Sequence, residues 1–183
     1  MARAVRGPVD NLDTAERAPV GLRHAVWAAV VSGAMNGRML WWADGYDQYE
    51  KPDPNLRTRF AHLAEPAARF VGGIDFAGFK PIAVEPSPDV YGAAIGHHRS
   101  LIAWFRDAQC VGPEWPTRRL DRQRIVLAVP GDAERWRFIA SDPVTLEPIA
   151  QGVAHREKGK VSLWLPPFED AVVLRLTADA ASP

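Results

Sequence analysis

The order of apolar and polar residues changes along the chain, and its first part has helical spacing. Apolar residues recur every three or four positions in "GLRHAVWAAVVSGAMNG" and "NLRTRFAHLAEPAARFVGG". The first segment is apolar on nearly every side, which is typical of a helix inside a larger body. The second has one apolar stripe, ends at Gly72 and Gly73, and contains Pro66, which we expect to kink or split the helix. Between them, "RMLWWAD" predicts a short strand that is apolar on both faces.

From about Ile74 the period changes from helical to alternating. Eight short strands are predicted in "FKPIAVEP", "VYGAAIGHH", "SLIAWFRDA", "RIVLAVPG", "RWRFIASDP", "EPIAQGVAHR", "KVSLWLPPF" and "AVVLRLTA". Gly, Pro and Asp separate them at roughly ten-residue spacing, which is typical of an antiparallel sandwich. We therefore expect a C-terminal β-sandwich domain over residues 76–183.

The helix–strand–helix part needs a larger context, because a strand that is apolar on both faces requires neighbours in a sheet. We expect residues 1–75 to form the terminal part of a (β/α)8 barrel, a fold of roughly 250 residues when complete. The predicted fold class is thus an α/β barrel fragment, with one helix–strand–helix unit, followed by an antiparallel β-sandwich.

Composition narrows the choice of partners. Hydrophobic residues make up 47% and charged residues 24% of the 183 residues, as in globular proteins. The 22 basic and 22 acidic side chains balance, which argues against a nucleic-acid partner. No run of about 18 apolar residues predicts a membrane span, and the polar start lacks the apolar middle of a signal peptide. The compartment is left open.

The sequence predicts no metal ion and no cofactor. Cys110 is the single cysteine, so the chain holds neither an internal disulfide nor a multi-thiolate site. His97 and His98 are adjacent in a predicted strand and should point to opposite faces, away from a common ion. His24 and His62 lie in the two helices, and we expect no Cys, Glu or His at ligand spacing beside them.

The stretch "MLWWADGYDQY" supplies the candidate substrate-binding residues. Adjacent tryptophans in a strand point opposite ways, so one ring packs inward and the other offers a platform whose face matches the C–H face of a pyranose. Polar residues then follow at the carboxyl end of the strand, where barrel sites lie. The candidates are Trp41, Trp42, Asp44, Tyr46 and Gln48. A purely structural role for both rings stays open.

Other conspicuous residues belong to the predicted β domain. Period 2 predicts that most of its four tryptophans are core residues, with Trp115, in a loop between prolines, as the exposed one. The segment "RRLDRQR" at 118–124 predicts a solvated turn of mixed charge. Glu85 in "VEPS" mimics a glycosidase acid/base motif, but its position at the start of the β domain favours a structural role.

Several segments together resemble one enzyme family. "HAVWAAVVSGAMNGRMLWWADGYDQY" resembles the end of the catalytic barrel in cellulase- and mannanase-like retaining glycoside hydrolases. "ARFVGGIDFAGFKPI" resembles their passage into a C-terminal β-sandwich, and "WRFIASDPVTLEPIAQG" and "GKVSLWLPPFEDAVVLRL" are similar to its closing strands. The chain departs from the family at Met35-Asn36, where small residues are usual, and at Leu146-Glu147, where a glycine is expected. The resemblance implies a parent class, often secreted, that hydrolyses β-linked polysaccharide or oligosaccharide by double displacement.

No catalytic residue is assigned. Retaining glycosidases use two carboxylates about 5–5.5 Å apart, and the resemblance implies that these follow the fourth and seventh barrel strands. No Asn-Glu pair occurs here, and no apolar strand precedes Asp10, Asp13 or Glu16. Whether the chain is an enzyme is left open.

The expected function is that of a C-terminal fragment of a glycoside hydrolase-like protein, not catalytic alone, whose partners are carbohydrate and an upstream barrel segment. Two alternatives stay open: a stand-alone carbohydrate-binding or accessory β-sandwich, and an interaction subunit that completes a barrel. An aromatic platform on the sandwich, with the helices packed on its sheet, would favour the former. An exposed apolar helix stripe would favour the latter.

Overall fold

The computed structural model describes residues 18–34, 56–109 and 118–179, in which two helices precede nine strands. Helix α1 spans Ala18–Ser32 and helix α2 spans Leu56–Val71. The strands are β1 (Lys80–Ile82), β2 (Val84–Pro86), β3 (Val90–Gly96), β4 (Ser100–Asp107), β5 (Arg124–Ala128), β6 (Arg135–Ser141), β7 (Pro148–Glu157), β8 (Lys160–Trp164) and β9 (Ala171–Ala178). No helix in these ranges has the length and apolar character needed to cross a membrane.

The nine strands form one antiparallel sheet that nearly closes on itself. Their order is β1-β3-β4-β9-β6-β7-β8-β5-β2. Strands β1 and β2 stand at opposite ends of this order, yet only Ala83 separates them in the chain. Strand β7 pairs with β6 over most of its length and meets β8 at its last two residues, Arg156 and Glu157. The sheet therefore has two halves, β1-β3-β4-β9-β6-β7 and β8-β5-β2, which face each other across the core.

Strand β4 is buried on both faces and separates two apolar clusters. Alternation directs Leu101, Ala103 and Phe105 into the core between the two sheet halves. Ile102 and Trp104 point the other way, towards the helices. The inner core also contains Ile125, Leu127, Trp136, Val161, Leu163, Val172, Leu174 and Leu176.

The helices cover the outer side of β3, β4 and β9. Trp27 in α1 is fully buried, its Nε1 donates a hydrogen bond to the carbonyl of Pro143 at 3.2 Å, and its ring centroid lies 5.2 Å from that of Phe70 in α2. The Arg175 guanidinium on β9 donates to the carbonyl of Phe70. The described residues thus form three layers. They are the two helices, the half β1-β3-β4-β9-β6-β7, which we call the outer sheet half, and the second sheet half β8-β5-β2.

The predicted fold class is wrong. In the described residues the two helices pack on one side of an antiparallel sheet, whereas a barrel unit would alternate helices with parallel strands. The apolar pattern misled because a helix held between a sheet and a second helix is apolar on most sides, as a barrel helix is. The strand expected in "RMLWWAD" lies outside the described residues, and the domain division between residues 75 and 76 stays a prediction.

The positions of the individual strands were predicted correctly. All eight predicted strand segments are confirmed, the first of them as the two short strands β1 and β2. Helix α2 continues through the buried Pro66, so the helix is not split there, and the kink that we expected as the alternative stays a prediction. Leu146, one of the two residues standing where the family resemblance expects glycine, has a φ of +64° in the turn between β6 and β7. Its side chain packs partly buried against the helical layer, which offsets the cost of a left-handed backbone.

Candidate functional site

The five residues proposed from sequence as a sugar site lie outside the described residues. Trp41, Trp42, Asp44, Tyr46 and Gln48 all fall between residues 34 and 56. Cys110 and Trp115 likewise lie outside the described ranges. These predictions therefore stay predictions.

Strand β8 carries the most exposed large apolar side chain of the described residues. The sequence "KVSLW" alternates, so Val161 and Leu163 point into the core while Ser162 and Trp164 point outward. The Trp164 side chain remains 59% exposed, more than any other large apolar side chain in the described ranges. A ring of this size on an open sheet face is a candidate contact surface.

Polar groups on neighbouring segments frame the ring. Arg124 on β5 lies directly opposite Trp164, and its Nε donates a hydrogen bond to Ser162 Oγ at 2.9 Å. The Arg122 guanidinium carbon lies 5.7 Å from the centre of the Trp164 ring. Arg122 has a φ of +49°, a left-handed conformation that costs roughly 1–2 kcal/mol. We call Arg122, Arg124, Ser162 and Trp164 the β8 platform.

The β8 platform is suited to binding and not to hydrolysis. An aromatic face flanked by guanidinium and hydroxyl groups offers an apolar contact together with donors at its edge, as sites for polar ring ligands do. The platform residues include no carboxylate. Glu85, further along the same outer face on β2, accepts a hydrogen bond from Lys160 Nζ at 2.6 Å, which agrees with the structural role expected for it.

Sequence reasoning missed this ring by grouping it with the core tryptophans. Trp104 and Trp136 are indeed buried, at 1% and 0% exposure, although Trp104 faces the helices and not the inner core. For Trp164 the expectation is wrong. The signal was present in "KVSLW", because alternation places Trp164 on the same face as Lys160 and Ser162.

A second exposed ring, Tyr91 on β3, lacks such a frame. Tyr91 is 54% exposed, and the Arg106 guanidinium carbon lies 5.0 Å from its ring centre. Arg106 also donates to the carbonyl of Asp107 at 2.8 Å, which ties it to its own strand. Tyr91 is therefore a suitable control residue for Trp164.

The expectation that "RRLDRQR" is only a solvated turn is wrong for Arg118. Its Nε contacts Asp107 Oδ2 at 2.6 Å, and its Nη2 contacts Asp89 Oδ1 at 2.7 Å. These hydrogen bonds raise the pKa of Arg118 further above its ordinary value. Asp107 is 1% exposed and both carboxylates share one cation, so this acidic pair fastens the ends of β3 and β4 to residue 118.

His97 and His98 lie in the turn after β3 with their ring centroids 5.2 Å apart, so the expectation that a strand directs them to opposite faces is wrong. His97 Nδ1 accepts hydrogen bonds from the backbone nitrogens of Arg99 and Ser100, both at 3.1 Å, while His98 is exposed. His62 lies 3.9 Å from the Glu65 carboxylate in α2, so the expectation that no Glu stands near it is wrong. Within the described ranges, no three His, Cys, Asp or Glu residues are grouped as a metal site requires.

A largely buried ion cluster joins α1 to the turn before β9. Asp170 Oδ1 lies 2.8 Å from His24 Nε2, and Asp170 Oδ2 accepts from Arg23 Nε at 3.1 Å. Burial by itself raises the pKa of Asp170, but the hydrogen bond and charge of His24 and the charge of Arg23 outweigh it, so the pKa is lowered. A catalytic general acid needs the opposite shift.

This cluster predicts a loss of stability in acid. Because the pKa of Asp170 is lowered by folding, its contribution to stability is complete above the unfolded carboxyl pKa of about 4 and disappears as the pH falls through the lower folded value. We expect Asp170→Asn to lower the free energy of unfolding by about 2 kcal/mol at pH 7, and the difference from the wild type to shrink below about pH 4. Urea unfolding between pH 7 and pH 3 measures this difference. Asp121→Asn, at an exposed ion pair, is the control, and a difference for Asp170→Asn that does not change with pH would exclude the ionised carboxylate as its cause.

No protein-family model matches the sequence, and a search of curated proteins finds no match.

The fold, by contrast, matches parts of carbohydrate-active enzymes. A cycloisomaltooligosaccharide glucanotransferase from Paenibacillus sp. is similar over 86% of this chain, with a TM-score of 0.54 and 10% sequence identity. The glycoside hydrolase family 30 subfamily 8 xylanase from Clostridium acetobutylicum is similar over 88% of this chain, with a TM-score of 0.46 and 16% sequence identity. For α-L-fucosidase isoenzyme 2 from Paenibacillus thiaminolyticus the similarity covers 77% of this chain, with a TM-score of 0.38 and 12% sequence identity.

This chain spans only part of each of these proteins: 27% of the glucanotransferase, 38% of the xylanase and 20% of the fucosidase. The similarity to the glucanotransferase shows a fold that carbohydrate-active enzymes contain. None of the three is a cellulase or a mannanase, so that part of the expected resemblance is not supported.

Proposed function

We propose that the chain is a non-catalytic accessory β domain that binds β-linked oligosaccharide or polysaccharide on the β8 platform. The observation that carries this proposal is the exposed Trp164 ring, framed by Arg122, Arg124 and Ser162. The helices pack on the outer sheet half and leave the β8 face open, which is the arrangement expected of an accessory module. In α1 no side chain described between residues 21 and 31 is exposed, so a helical docking stripe is not favoured there.

A carbohydrate ligand fits this surface for physical reasons. The C–H face of a pyranose removes apolar area from water when it stacks on an indole, while its rim hydroxyls bond to flanking polar groups. Arg122 and Arg124 offer donors at the rim, and the Ser162 hydroxyl both donates and accepts. The resemblance to retaining glycoside hydrolases is the reason for proposing a β-linked ligand and an accessory role beside such an enzyme.

Replacing Trp164 by alanine is expected to weaken oligosaccharide binding by about 1–2 kcal/mol, roughly 5- to 30-fold in Kd, because the stacking surface is lost. Calorimetric titration with soluble β-glucan and β-mannan oligosaccharides measures the change. Tyr91→Ala removes another ring that is exposed among the described residues and should leave Kd unchanged. Equal losses in both variants, or binding that is indifferent to Trp164, would rule out the β8 platform as the site.

The segment "WWADGYDQY" is proposed as a further sugar contact. If Trp42 offers a platform, Trp42→Ala weakens the same binding by about 1–2 kcal/mol without unfolding the chain. A loss of folding stability with unchanged binding would instead assign the ring to the core. Asp44, Tyr46 and Gln48 belong to this proposal as hydrogen-bonding partners of sugar hydroxyls.

No glycosidase turnover is expected from the purified chain. Double displacement needs a protonated carboxyl to release the leaving oxygen and a second, free carboxylate to attack the sugar. In the described residues Asp89 and Asp107 both pair with Arg118, and the lowered pKa of Asp170 is the opposite of what a protonated general acid needs. Release of aryl groups or of reducing ends from β-glucan and mannan is the assay. Activity that survives purification and disappears in Asp44→Asn would contradict the non-catalytic role.

A further inference from the structure

We propose that a second, separate site binds acidic sugars: the open groove lined by Arg99, Arg135, Arg137, Thr177 and Asp179 takes the carboxylate of a uronic acid unit. We call it the arginine groove. It has a volume of about 1330 Å³, beyond the roughly 300–1,000 Å³ of an ordinary small-molecule site, so it suits several linked sugars. The inference deepens the proposed carbohydrate binding and rests on it.

Two of the three arginines of the groove pair with one carboxylate. Arg135 and Arg137 are two positions apart on β6 and therefore lie on the same side. Asp179 Oδ1 lies 2.6 Å from Arg137 Nε, and Asp179 Oδ2 lies 3.4 Å from Arg135 Nη2. The Asp179 side chain is only 20% exposed, whereas those of Arg135 and Arg137 are 58% and 69% exposed. Asp179 thus pairs with two guanidinium groups whose side chains remain more than half exposed and accessible to a ligand.

A third arginine reaches the groove from the turn between β3 and β4. The Arg99 carbonyl accepts a hydrogen bond from the Ala178 nitrogen at 2.9 Å, which fixes this turn against the end of β9. Its side chain is exposed and makes no ion pair within the described ranges. Planar guanidinium groups pair with carboxylates through two parallel hydrogen bonds, and a cluster of three is a suitable receptor for such a group.

The remaining lining explains why the ligand should be a sugar acid and not a simple anion. Asp132 and Glu134 line the groove from the loop between β5 and β6 and form no ion pair with the three arginines. These carboxylates are acceptors for hydroxyl donors. A uronic acid offers both kinds of group, one carboxylate for the arginines and several hydroxyls for the acids. A phosphate or sulfate ion offers no such set of hydroxyls.

The arginine groove and the β8 platform are different places. Arg124, beside Trp164, begins β5, and Ala128 ends it. The groove begins past this far end, at Asp132. Ligand binding at the two sites can therefore be separated by mutation.

The test compares an acidic oligosaccharide with its neutral counterpart. Tetramannuronate, whose units are β-linked, and the same tetrasaccharide with its carboxyl groups reduced to alcohols are titrated into the full chain. We expect the acidic form to bind at least tenfold more tightly, and Arg99→Ala and Arg135→Ala each to weaken its binding at least fivefold. The neutral form should be unaffected by either change, and the acidic preference should fall as salt is raised.

Matched variants separate the possible failures. Arg122→Ala removes a guanidinium of the β8 platform and should leave the acidic preference intact, while circular dichroism checks the fold of every variant. Equal affinity for the two tetrasaccharides, or a preference that survives Arg99→Ala and Arg135→Ala, would contradict acidic-sugar binding in the arginine groove. Neither result would contradict sugar binding at Trp164. Binding of the acidic sugar that is lost in the groove variants but unchanged in Trp164→Ala would support the groove even if the β8 platform failed its own test.

Discussion

Replacing Trp27 by alanine is expected to lower the free energy of unfolding by about 3–5 kcal/mol, the usual cost of removing a fully buried tryptophan. The Trp27 side chain is 0% exposed, packs edge-on against Phe70 and donates its indole proton to the carbonyl of Pro143. Its removal leaves a cavity between α1, α2 and the outer sheet half, and it also leaves that carbonyl without its indole donor. Chemical denaturation followed by circular dichroism measures the change.

The control is Trp164→Ala, the same substitution at an exposed ring. Its effect on unfolding should stay within about 0.5 kcal/mol, as for most surface changes. The contrast tests the layered arrangement, because it requires α1 to be an integral part of the β fold. Equal and small effects of both substitutions would mean that the helices do not share a core with the sheet.

Replacing Gly92 by valine is expected to destabilise the fold by about 3 kcal/mol, at the upper end of overpacking effects. Gly92 on β3 lies directly opposite Phe105 on β4. A Cβ atom at this position would meet Phe105 Cδ1 and the carbonyl oxygen of Trp104, both at 2.3 Å, where only hydrogen fits. Because one of the two obstacles is backbone, a change of rotamer cannot relieve the contact.

Tyr91→Val is the matched control on the same strand. Tyr91 is exposed, and valine favours extended backbone, so we expect little change. The melting temperatures of the two variants are compared by differential scanning fluorimetry. A Gly92→Val protein as stable as the wild type would show that β3 and β4 do not approach as closely as described.

Local structure was largely predictable from the sequence. Short apolar stretches bounded by Gly, Pro and Asp located the strands described from residue 80 onward, and each of these strands except β2 contains at least one buried residue. The helical periods located α1 and α2 in the same way. These signals depend on neighbouring residues alone.

Long-range arrangement was not predictable in the same way. The apolar surface of α1 could be buried equally well against parallel strands or against the outer side of β4 and β9, and the sequence does not distinguish these partners. The pairing of Arg118 with Asp89 and Asp107 joins residues far apart in sequence, so no local pattern marks it. Trp164 is the instructive exception, because strict alternation in "KVSLW" would have placed it on the surface.

The most direct test of the proposed function follows the indole N–H signals of the tryptophans by NMR during titration with a β-linked oligosaccharide. The chain has seven tryptophans, and the signal of Trp164 is assigned by its absence in Trp164→Ala. The buried indoles of Trp27 and Trp136 donate to the carbonyls of Pro143 and Ala133 and should not move. We expect the Trp164 signal to shift and to saturate with the Kd measured by calorimetry. Saturable binding that leaves the Trp164 signal unmoved would contradict the proposal.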